Sequence, residues 1–368
     1  MNKIKIAHFI ETGVPGGAEQ VLLDLCEYTK KTNPAFHPIV VTFKHTWIKE
    51  QCESRDIPYL ELSFKQYFKS TKTLPIFAYK FALWLKEHEV SLLHSHLFGP
   101  ITGGALAAFL SGTPHIGTIH DIHMIEDKPS RIRLYQLAGL LGTRLITVSN
   151  DMKRFYKDNA WFKASSIETI YNGVQLPSSQ QNLKNTLNIG EDTLVVTCMG
   201  RLVKLKQVNR IIHACTRLLK KHEFYLLIVG DGPETDTLKE LAKNERNIKF
   251  LGARNDISDI LESSDIFVQY STTEGLSRSI IEAAVSNVPC IVSNVGGNKE
   301  IVVNGVNGFL VSPNHLKELE DRLTTLLTNQ SIRQAMRSHK TLDSADKFGI
   351  KKNYSQYLEL YKESLGIC

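Results

Sequence analysis

Two glutamates eight residues apart stand out as residues that could bind a ligand. Glu274 precedes the short turn Gly275-Leu276-Ser277, and Glu282 lies inside the apolar run that follows. The pattern predicts a helix over 279–285 with Ser277 as its N-cap. Free N–H groups at a helix N-terminus favour an anion such as a diphosphate, and a buried carboxylate needs a partner such as a ligand hydroxyl. The stretch therefore indicates a site for a polyhydroxylated ligand that carries phosphates.

Cations that such a ligand requires follow the strand predicted over 194–199. Gly200 allows a turn there, and Arg201 and Lys206 lead into the next helix. A planar guanidinium and a flexible ammonium both suit a pyrophosphate. A solvated basic loop is the structural alternative, but a loop at the carboxyl end of a strand favours the binding role.

Histidines end two predicted strands in the first half of the sequence. His94 and His96 share one face, because strand side chains alternate, and without a third ligand they indicate packing rather than a metal site. His120 precedes Asp121 at the end of the next strand. Its imidazole could donate to a sugar hydroxyl or orient a reacting group, and a purely structural hydrogen bond is the alternative.

Two further loops follow strands. Gly16 and Gly17 come after the first strand, where glycine lets the backbone approach a ligand, although a flexible loop is equally compatible. Their spacing is not G-x-G-x-x-G, which disfavours a dinucleotide-dependent dehydrogenase. Ala253 and Arg254 follow a later strand, where backbone groups could read a base edge or form an ordinary loop.

The elements that must position these residues alternate between short apolar runs and longer amphipathic ones. Strands alternating with helices imply a parallel sheet wrapped by helices, and the pattern starts twice. We predict an α/β fold of two doubly wound Rossmann-like domains facing a central cleft. The predicted division is an N-terminal domain over 1–175, a linker over 176–190, a C-terminal domain over 191–345 and a C-terminal helical segment over 346–368.

Composition and charge exclude several classes of protein. The 368 residues are 42% hydrophobic and 22% charged, as in ordinary globular domains. The formal net charge of +6 is compatible with an anionic partner, and no nucleic-acid partner is expected. No apolar run reaches the roughly 20 residues of a membrane span, and the start does not resemble a signal peptide, so we expect a cytoplasmic protein. The six cysteines form no C-x-x-C pair and are expected to be reduced.

These motifs together match a known family. The E-x7-E stretch from Glu274 to Glu282 resembles the signature of the family-four (group 1) retaining glycosyltransferases, which have the GT-B fold. Other short motifs match in order and spacing along nearly the whole chain: Gly16-Gly17-Ala-Glu, His94-Ser-His96, Thr118-Ile-His120-Asp121, Gly200-Arg201, Gly230-Asp-Gly-Pro-Glu234, Phe250-Leu-Gly252 and Gly296-Gly297. The residues that follow Glu274-Gly275 depart from the commoner Phe/Pro-rich form, and Arg278 adds a cation near the site.

The resemblance implies a role for each matching position. Arg201 and Lys206 would neutralise the donor diphosphate. Glu282 would bind the ribose, and Glu274 would contact the donor sugar. The remaining contacts would come from backbone groups and one imidazole: Gly275, Leu276 and Ser277 against the diphosphate or sugar, Ala253 and Arg254 at the base, His120 near the reacting carbon, and Gly16 and Gly17 at the phosphates or acceptor.

The resemblance also implies a reaction. A sugar would move from a nucleotide-diphosphate donor, expected to be a UDP-sugar, to a glycan or lipid-linked acceptor in the biosynthesis of a surface polysaccharide such as lipopolysaccharide or capsule. No metal and no cofactor are expected, because arginine and lysine neutralise the charge. The last helix would cross back onto the N-terminal domain.

A membrane role and two alternative functions stay open. The basic and aromatic stretch over 64–86 indicates peripheral docking on anionic lipid at the inner face of the plasma membrane, or a loop and helix packed on the sheet. The alternative functions are a nucleotide-sugar 2-epimerase of the same fold and a non-catalytic nucleotide-sugar-binding protein.

Overall fold

A computed structural model describes residues 3–13, 16–68, 70, 72–159, 167–176, 179, 181, 183–339 and 344–367. The chain divides into two compact units, one formed by Met1–Gly173 with Ile350–Cys368 and the other by Val174–Gly349. These bounds differ from the predicted division, because the segment proposed as a linker belongs to the second unit. Within that segment Leu183 is buried, and its N–H donates to Ser263 Oγ at 3.0 Å.

The first unit is built on a sheet of seven parallel strands in the order β3-β2-β1-β4-β5-β6-β7. The strands are β1 (Ile4–Ile10), β2 (Phe36–Thr42), β3 (Tyr59–Glu61), β4 (Leu92–His96), β5 (His115–Ile119), β6 (Arg144–Thr147) and β7 (Ile167–Thr169). The helices are α1 (Gly17–Thr32), α2 (Thr46–Ser54), α3 (Leu74–Glu87), α4 (Phe98–Ser111), α5 (His123–Glu126), α6 (Ile132–Leu140) and α7 (Asn150–Asn159). Buried apolar side chains fill most strand positions, as expected for a parallel sheet covered on both faces.

The second unit repeats this plan with six parallel strands in the order β10-β9-β8-β11-β12-β13. The strands are β8 (Leu194–Met199), β9 (Phe224–Val229), β10 (Ile248–Gly252), β11 (Ile266–Gln269), β12 (Cys290–Ser293) and β13 (Gly308–Val311). The helices are α8 (Leu183–Thr186), α9 (Val208–Leu219), α10 (Thr235–Leu241), α11 (Ile257–Glu262), α12 (Arg278–Val285), α13 (Asn298–Ile301), α14 (Leu316–Thr328), α15 (Gln330–Ser338) and α16 (Ser344–Phe348).

The last helix, α17 (Ile350–Leu365), is part of the first unit. Tyr354, Tyr357 and Tyr361 are buried in a core cluster that includes Ile6 of β1 and Leu92 of β4. Two of these tyrosines also hydrogen-bond the sheet: Tyr361 Oη lies 2.8 Å from His94 Nδ1, and Tyr357 Oη lies 2.9 Å from Thr118 Oγ1. The apolar face of the helix and its hydroxyls therefore both account for its position.

The strand order confirms the predicted α/β class of two parallel-sheet, Rossmann-like domains. In each sheet the order reverses direction at one point, between β1 and β4 in the first unit and between β8 and β11 in the second. Ligands of open α/β sheets bind at such a switch point, beyond the carboxyl ends of the strands. The loops that follow these four strands therefore lie where a ligand of each unit is expected to bind.

The structure also bears on two other expectations from the sequence, the state of the cysteines and the presence of membrane-spanning helices. Cys26, Cys52, Cys198, Cys215 and Cys290 are buried free thiols, whereas Cys368 lies outside the described residues. Burial raises the pKa of the Cys52 thiol to about 12, which keeps it protonated and unreactive. Over the described ranges, none of the helices combines the length and the apolar character needed to span a bilayer.

Candidate active site

The loop after β8 presents the two predicted cations. The Arg201 side chain is exposed, and the described part of the chain offers it neither an ion pair nor a hydrogen bond. Lys206 ends a short 3-10 turn, Lys204–Lys206, and is largely buried. Arg201 is thus available to an external anion, whereas Lys206 is held within the protein.

Backbone contacts fix this loop against its neighbours. Thr272 N–H, after β11, donates to Leu205 O at 2.8 Å and joins the two loops at the switch point. Gly230, after β9, has φ +128°, and a Cβ at that position would lie 1.9 Å from Gly200 O. Only glycine allows the chain to pass that closely, which explains a glycine in the Gly230-Asp-Gly-Pro-Glu234 motif.

The Glu274 carboxylate is held by several hydrogen bonds. Its Oε1 atom accepts three hydrogen bonds, from Lys206 Nζ at 2.5 Å, Gln269 Nε2 at 2.5 Å and Ser271 Oγ at 2.6 Å. The other oxygen, Oε2, has no hydrogen-bond partner among the residues that the structure describes. The side chains of Glu274 and Lys206 are only 10% and 19% exposed. One carboxylate oxygen is therefore saturated while the other can still accept from a ligand.

Gln269, the last residue of β11, organises the surrounding polar groups. Its amide nitrogen donates to Glu274, and its amide oxygen accepts from Ser277 Oγ at 3.0 Å and Ser279 Oγ at 2.7 Å. The side chain is buried, so each of its hydrogen bonds is shielded from water. The sequence motifs do not include this residue, although a glutamine that directly follows the apolar run Ile266–Val268 is a visible signal for it.

The helix that follows Glu274 begins one residue earlier than predicted, at Arg278. Ser277 occupies the N-cap position, but its hydroxyl bonds Gln269 and does not cap the helix, so the predicted capping role is wrong. The N–H groups of Ser277 and Ser279 have no acceptor within the described residues. Such unsatisfied donors, together with the helix dipole, make this end of α12 suitable for an anion.

A close backbone contact holds the turn before α12 in place. Gly296, between β12 and α13, has φ +50°, and a Cβ there would lie 1.8 Å from Glu274 O. The next residue adds a hydrogen bond, from Gly297 N–H to Gly275 O at 3.0 Å. The Gly296-Gly297 motif therefore helps to fix the backbone of Glu274 and Gly275.

Glu282 lies one turn inside α12 and is buried. Its Oε1 atom accepts from Arg278 Nε at 2.7 Å, an i,i+4 ion pair whose two side chains are 7% and 14% exposed. The partner that a buried carboxylate needs is thus supplied by the same helix, through the residue that departs from the common motif. The structure does not bring Glu282 into hydrogen-bond contact with Glu274 or Lys206.

The predicted base-binding loop lies further along the sheet. Ala253 and Arg254 are exposed just after β10, the edge strand, and Gly230 N–H donates to Gly252 O at 2.7 Å. Arg254 Nε donates to Asp256 Oδ1 at 2.8 Å. That ion pair raises the pKa of Arg254 and lowers that of Asp256. The loop therefore lies at the same carboxyl end of the sheet as Arg201. Among the described residues, Arg254 makes no hydrogen bond to Glu274 or to the side chains that bind Glu274.

In the first unit, the predicted glycines begin α1. Gly16 N–H donates to Glu19 Oε2 at 2.8 Å, and Glu19 is buried. Gly17 is exposed as the first residue of the helix. The residues Val14 and Pro15 just before them lie outside the described ranges.

The histidines of the first unit form a cluster larger than the sequence suggested. His8, His94 and His96 place ring nitrogens within 4.8 Å of one another, so the structure supplies a third imidazole beside the two that the sequence singled out. His94 bonds Tyr361 Oη and Thr118 Oγ1, each at 2.8 Å. A metal ion would have to displace these hydroxyls. Burial lowers the pKa of His8 to about 3 and that of His120 to about 4, so both rings are neutral at pH 7.

Comparison with known proteins agrees with this architecture. The family "Glycosyltransferase Family 4" matches residues 15–176, and "Glycosyl transferases group 1" matches residues 179–342. The Escherichia coli UDP-Gal:alpha-D-GlcNAc-diphosphoundecaprenol alpha-1,3-galactosyltransferase is 28% identical, across 98% of this chain and 97% of that protein. The N-acetyl-alpha-D-glucosaminyl L-malate synthase of Bacillus anthracis is 26% identical, across 78% of each.

Solved structures show the same fold. Anabaena HepE in complex with UDP and glucose superimposes with a TM-score of 0.83 at 24% identity, covering 98% of this chain and 100% of that one. A glycosyltransferase from Rickettsia africae also gives 0.83, at 22% identity and 99% coverage of both chains. Because the two family matches together span most of the sequence and agree with the E-x7-E stretch, the chain belongs to the family-four (group 1) glycosyltransferases of GT-B fold.

Proposed function

We propose that this glycosyltransferase is a retaining, metal-independent hexosyltransferase that uses a UDP-sugar and a lipid-linked glycan acceptor in surface polysaccharide biosynthesis. The Escherichia coli relative is named for a UDP-galactose donor and a diphosphoundecaprenol-linked acceptor, and HepE was crystallised with UDP-glucose. The observation that carries the proposal is the Glu274 carboxylate, with one oxygen saturated by Lys206, Gln269 and Ser271 and the other open.

The donor diphosphate would bind beside Arg201 and the N-terminus of α12. Arg201 is exposed and unpaired within the described chain, so it meets a phosphate without breaking an existing ion pair. The free N–H groups of Ser277 and Ser279 add neutral donors. A charge-assisted hydrogen bond of this kind contributes about 1.5–3 kcal/mol.

The sugar would be held by the open oxygen of Glu274. A hydroxyl of the ligand donates to Oε2, while Lys206, Gln269 and Ser271 keep the carboxylate in one orientation through Oε1. A preorganised acceptor costs little to align when the ligand arrives. Glu282 would accept from the ribose while it remains paired with Arg278.

Arginine and lysine would replace a metal in this scheme. Arg201 would meet the departing diphosphate with a charge that is unpaired within the described chain. Lys206 follows the same strand, and its ammonium, which is shared with Glu274, would add to the positive field there. The bond between the sugar and the diphosphate breaks with help from these cations. The acceptor hydroxyl then attacks the oxocarbenium-like carbon on the same face, and the leaving phosphate takes its proton.

A transfer assay tests the proposal. The purified chain is incubated with UDP-galactose, UDP-glucose or UDP-N-acetylglucosamine and a GlcNAc-diphospho-lipid acceptor, with and without EDTA, and the product is analysed by NMR. We expect an α-linked product from one donor and the same rate in EDTA. A β-linked product would contradict retention, and loss of activity in EDTA would contradict metal independence. Conversion of a UDP-sugar without acceptor would indicate the 2-epimerase instead.

We propose that the protein docks on an anionic membrane surface and binds its lipid-linked acceptor there. Three helices of the first unit, packed as α3 on α4 and α4 on α6, carry exposed apolar side chains: Ile76, Tyr79, Leu83, Phe109, Leu110, Leu137 and Leu140. Exposed cations accompany them at Lys80, Lys86 and Arg133. Apolar side chains together with cations suit the interface of an anionic bilayer.

Vesicle co-sedimentation tests this surface. Leu83→Glu should reduce pelleting with phosphatidylglycerol vesicles, because it places a negative charge among the exposed apolar side chains of α3. Leu241→Glu changes an exposed leucine of the second unit and should pellet like the original chain. Equal pelleting of the unaltered protein with neutral and anionic vesicles would rule out the docking surface.

A further inference from the structure

A row of three imidazoles runs across the first sheet to its carboxyl edge. His8 Nδ1, on β1, lies 3.3 Å from His96 Nε2, on β4. His96 Nδ1 in turn lies 3.2 Å from His120 Nε2, just after β5. His8 and His96 are buried, whereas His120 retains part of its surface in solvent. The row therefore connects the interior of the sheet to a residue at the edge where ligands bind.

The number of protons in this row permits only two arrangements. A neutral imidazole carries one N–H and one lone pair, and each hydrogen bond needs one of each. If His96 is protonated on Nδ1, it donates to His120, accepts from His8, and leaves the proton of His120 on Nδ1. If His96 is protonated on Nε2, both bonds reverse, and His120 is protonated on Nε2. The tautomer of His120 thus follows from that of His96.

The buried end of the row decides between the two arrangements. His8 Nε2 is buried and has no partner among the described residues. In the first arrangement this atom is an unused lone pair, and in the second it is an N–H donor that bonds to nothing. Buried N–H groups without an acceptor are rarer than buried acceptors without a donor. Burial also lowers the pKa values of all three rings, so none carries a second proton at pH 7.

We propose that His96 is a positioning residue that holds His120 as its Nδ1–H tautomer, so that His120 offers a hydrogen-bond donor to a ligand oxygen at the carboxyl end of β5. This inference rests on the proposed function for the identity of the ligand, a sugar or phosphate oxygen. The tautomer itself is a property of the free protein. His8 completes the row by donating to His96 Nε2.

Nuclear magnetic resonance of the ligand-free protein tests the tautomer directly. The chain is labelled with ¹⁵N-histidine, long-range ¹H–¹⁵N correlations are recorded at pH 7.5, and the His120 signals are assigned from their loss in His120→Gln. We expect a protonated Nδ1 and an unprotonated Nε2. A protonated Nε2 in the unaltered protein would overturn the proposal without any variant being made.

Three histidine variants separate positioning from structure. His96→Phe should return His120 to the Nε2–H form that histidine prefers in water, and should lower kcat/KM about tenfold. In His8→Phe the atom without a partner is His96 Nε2. This atom should again be an unused lone pair and not an N–H, so the His120 tautomer should stay unchanged. His115→Phe is the matched control: His115 is buried on β5 but bonds Thr143 and Ser95 instead of the row.

The outcomes distinguish this proposal from the proposed function. An unchanged His120 tautomer in His96→Phe, or an equal loss of kcat/KM in His115→Phe, would contradict positioning by His96. Reversal of the tautomer in His8→Phe would contradict the argument from the buried end. A correct tautomer in a protein that transfers no sugar would leave the row intact and reject only the transferase proposal.

Discussion

The ion pair between Lys206 and Glu274 makes a prediction about stability as well as about activity. Lys206→Met removes the cation and leaves a carboxylate that is only 10% exposed, with Gln269 and Ser271 as its remaining donors. Methionine keeps most of the length and apolar area of the lysine stem. The substitution therefore tests the charge more than the packing.

The structure sets the size of the effect. Removing one partner of a buried pair costs about 3–5 kcal/mol. Two donors remain on Glu274 and the lysine was 19% exposed, so we expect about 2 kcal/mol. For a unit of this size each kcal/mol corresponds to a Tm shift of about 2–4 °C, so Tm should fall by about 4–8 °C.

Thermal unfolding without nucleotide provides the measurement. Lys243→Met is the matched control, since Lys243 pairs with Glu240 on the surface of the same unit, with 59% and 69% of the side chains exposed. Exposed pairs contribute at most about 1 kcal/mol. The double variant Lys206→Met with Glu274→Gln should be more stable than Lys206→Met alone, because no unpaired charge remains. Equal Tm shifts in Lys206→Met and Lys243→Met, or strict additivity in the double variant, would show that the buried ion pair does not stabilise the second unit.

Three other substitutions have distinct expected outcomes. Arg201→Ala should leave Tm unchanged, because the side chain has no partner in the described residues, and should raise the KM for the donor about 10- to 100-fold; an unchanged KM would remove Arg201 from the site. Gly296→Ala should lower kcat/KM at least about tenfold, because the new Cβ would displace the Glu274 carbonyl. Gly305 also has a positive φ but has open space around it, so Gly305→Ala should retain activity. Equal activity in the two variants would contradict the backbone contact. Gln269→Leu should destabilise the protein by about 2 kcal/mol and lower kcat/KM about tenfold, because Ser277, Ser279 and Glu274 each lose a hydrogen-bond partner. An unaltered urea midpoint of unfolding would contradict this role for Gln269.

The sequence predicted the features that depend on local patterns. The strand predicted over 194–199 has those bounds in the structure, and the helix after Glu274 begins one residue earlier than predicted. Elements such as Thr46–Ser54 and Tyr59–Glu61 were not predicted. The three residues Tyr59–Glu61 are too few to show a strand period, and only their pairing with β2 defines them as a strand.

The contact between His8 and His96 in the first unit, which the sequence did not reveal, depends on packing across the sheet. His8 meets His96 because β1 lies beside β4, although 88 residues separate them in sequence. Strand order is a property of the packed domain, and the spacing of apolar residues along the sequence does not reveal which strands are neighbours. The Arg278–Glu282 pair differs, because its i,i+4 spacing is visible in the sequence, although the predicted helix began one residue after Arg278.

We propose that the second unit binds the donor nucleotide through Arg201 and the N-terminus of α12 without a metal. Calorimetric titration of UDP into the unaltered chain and into Arg201→Ala, each with and without EDTA, measures this binding. We expect one UDP per chain, the same affinity in EDTA, and about 10- to 100-fold weaker binding to the variant. Absence of UDP binding, or equal affinity in the two proteins, would contradict it.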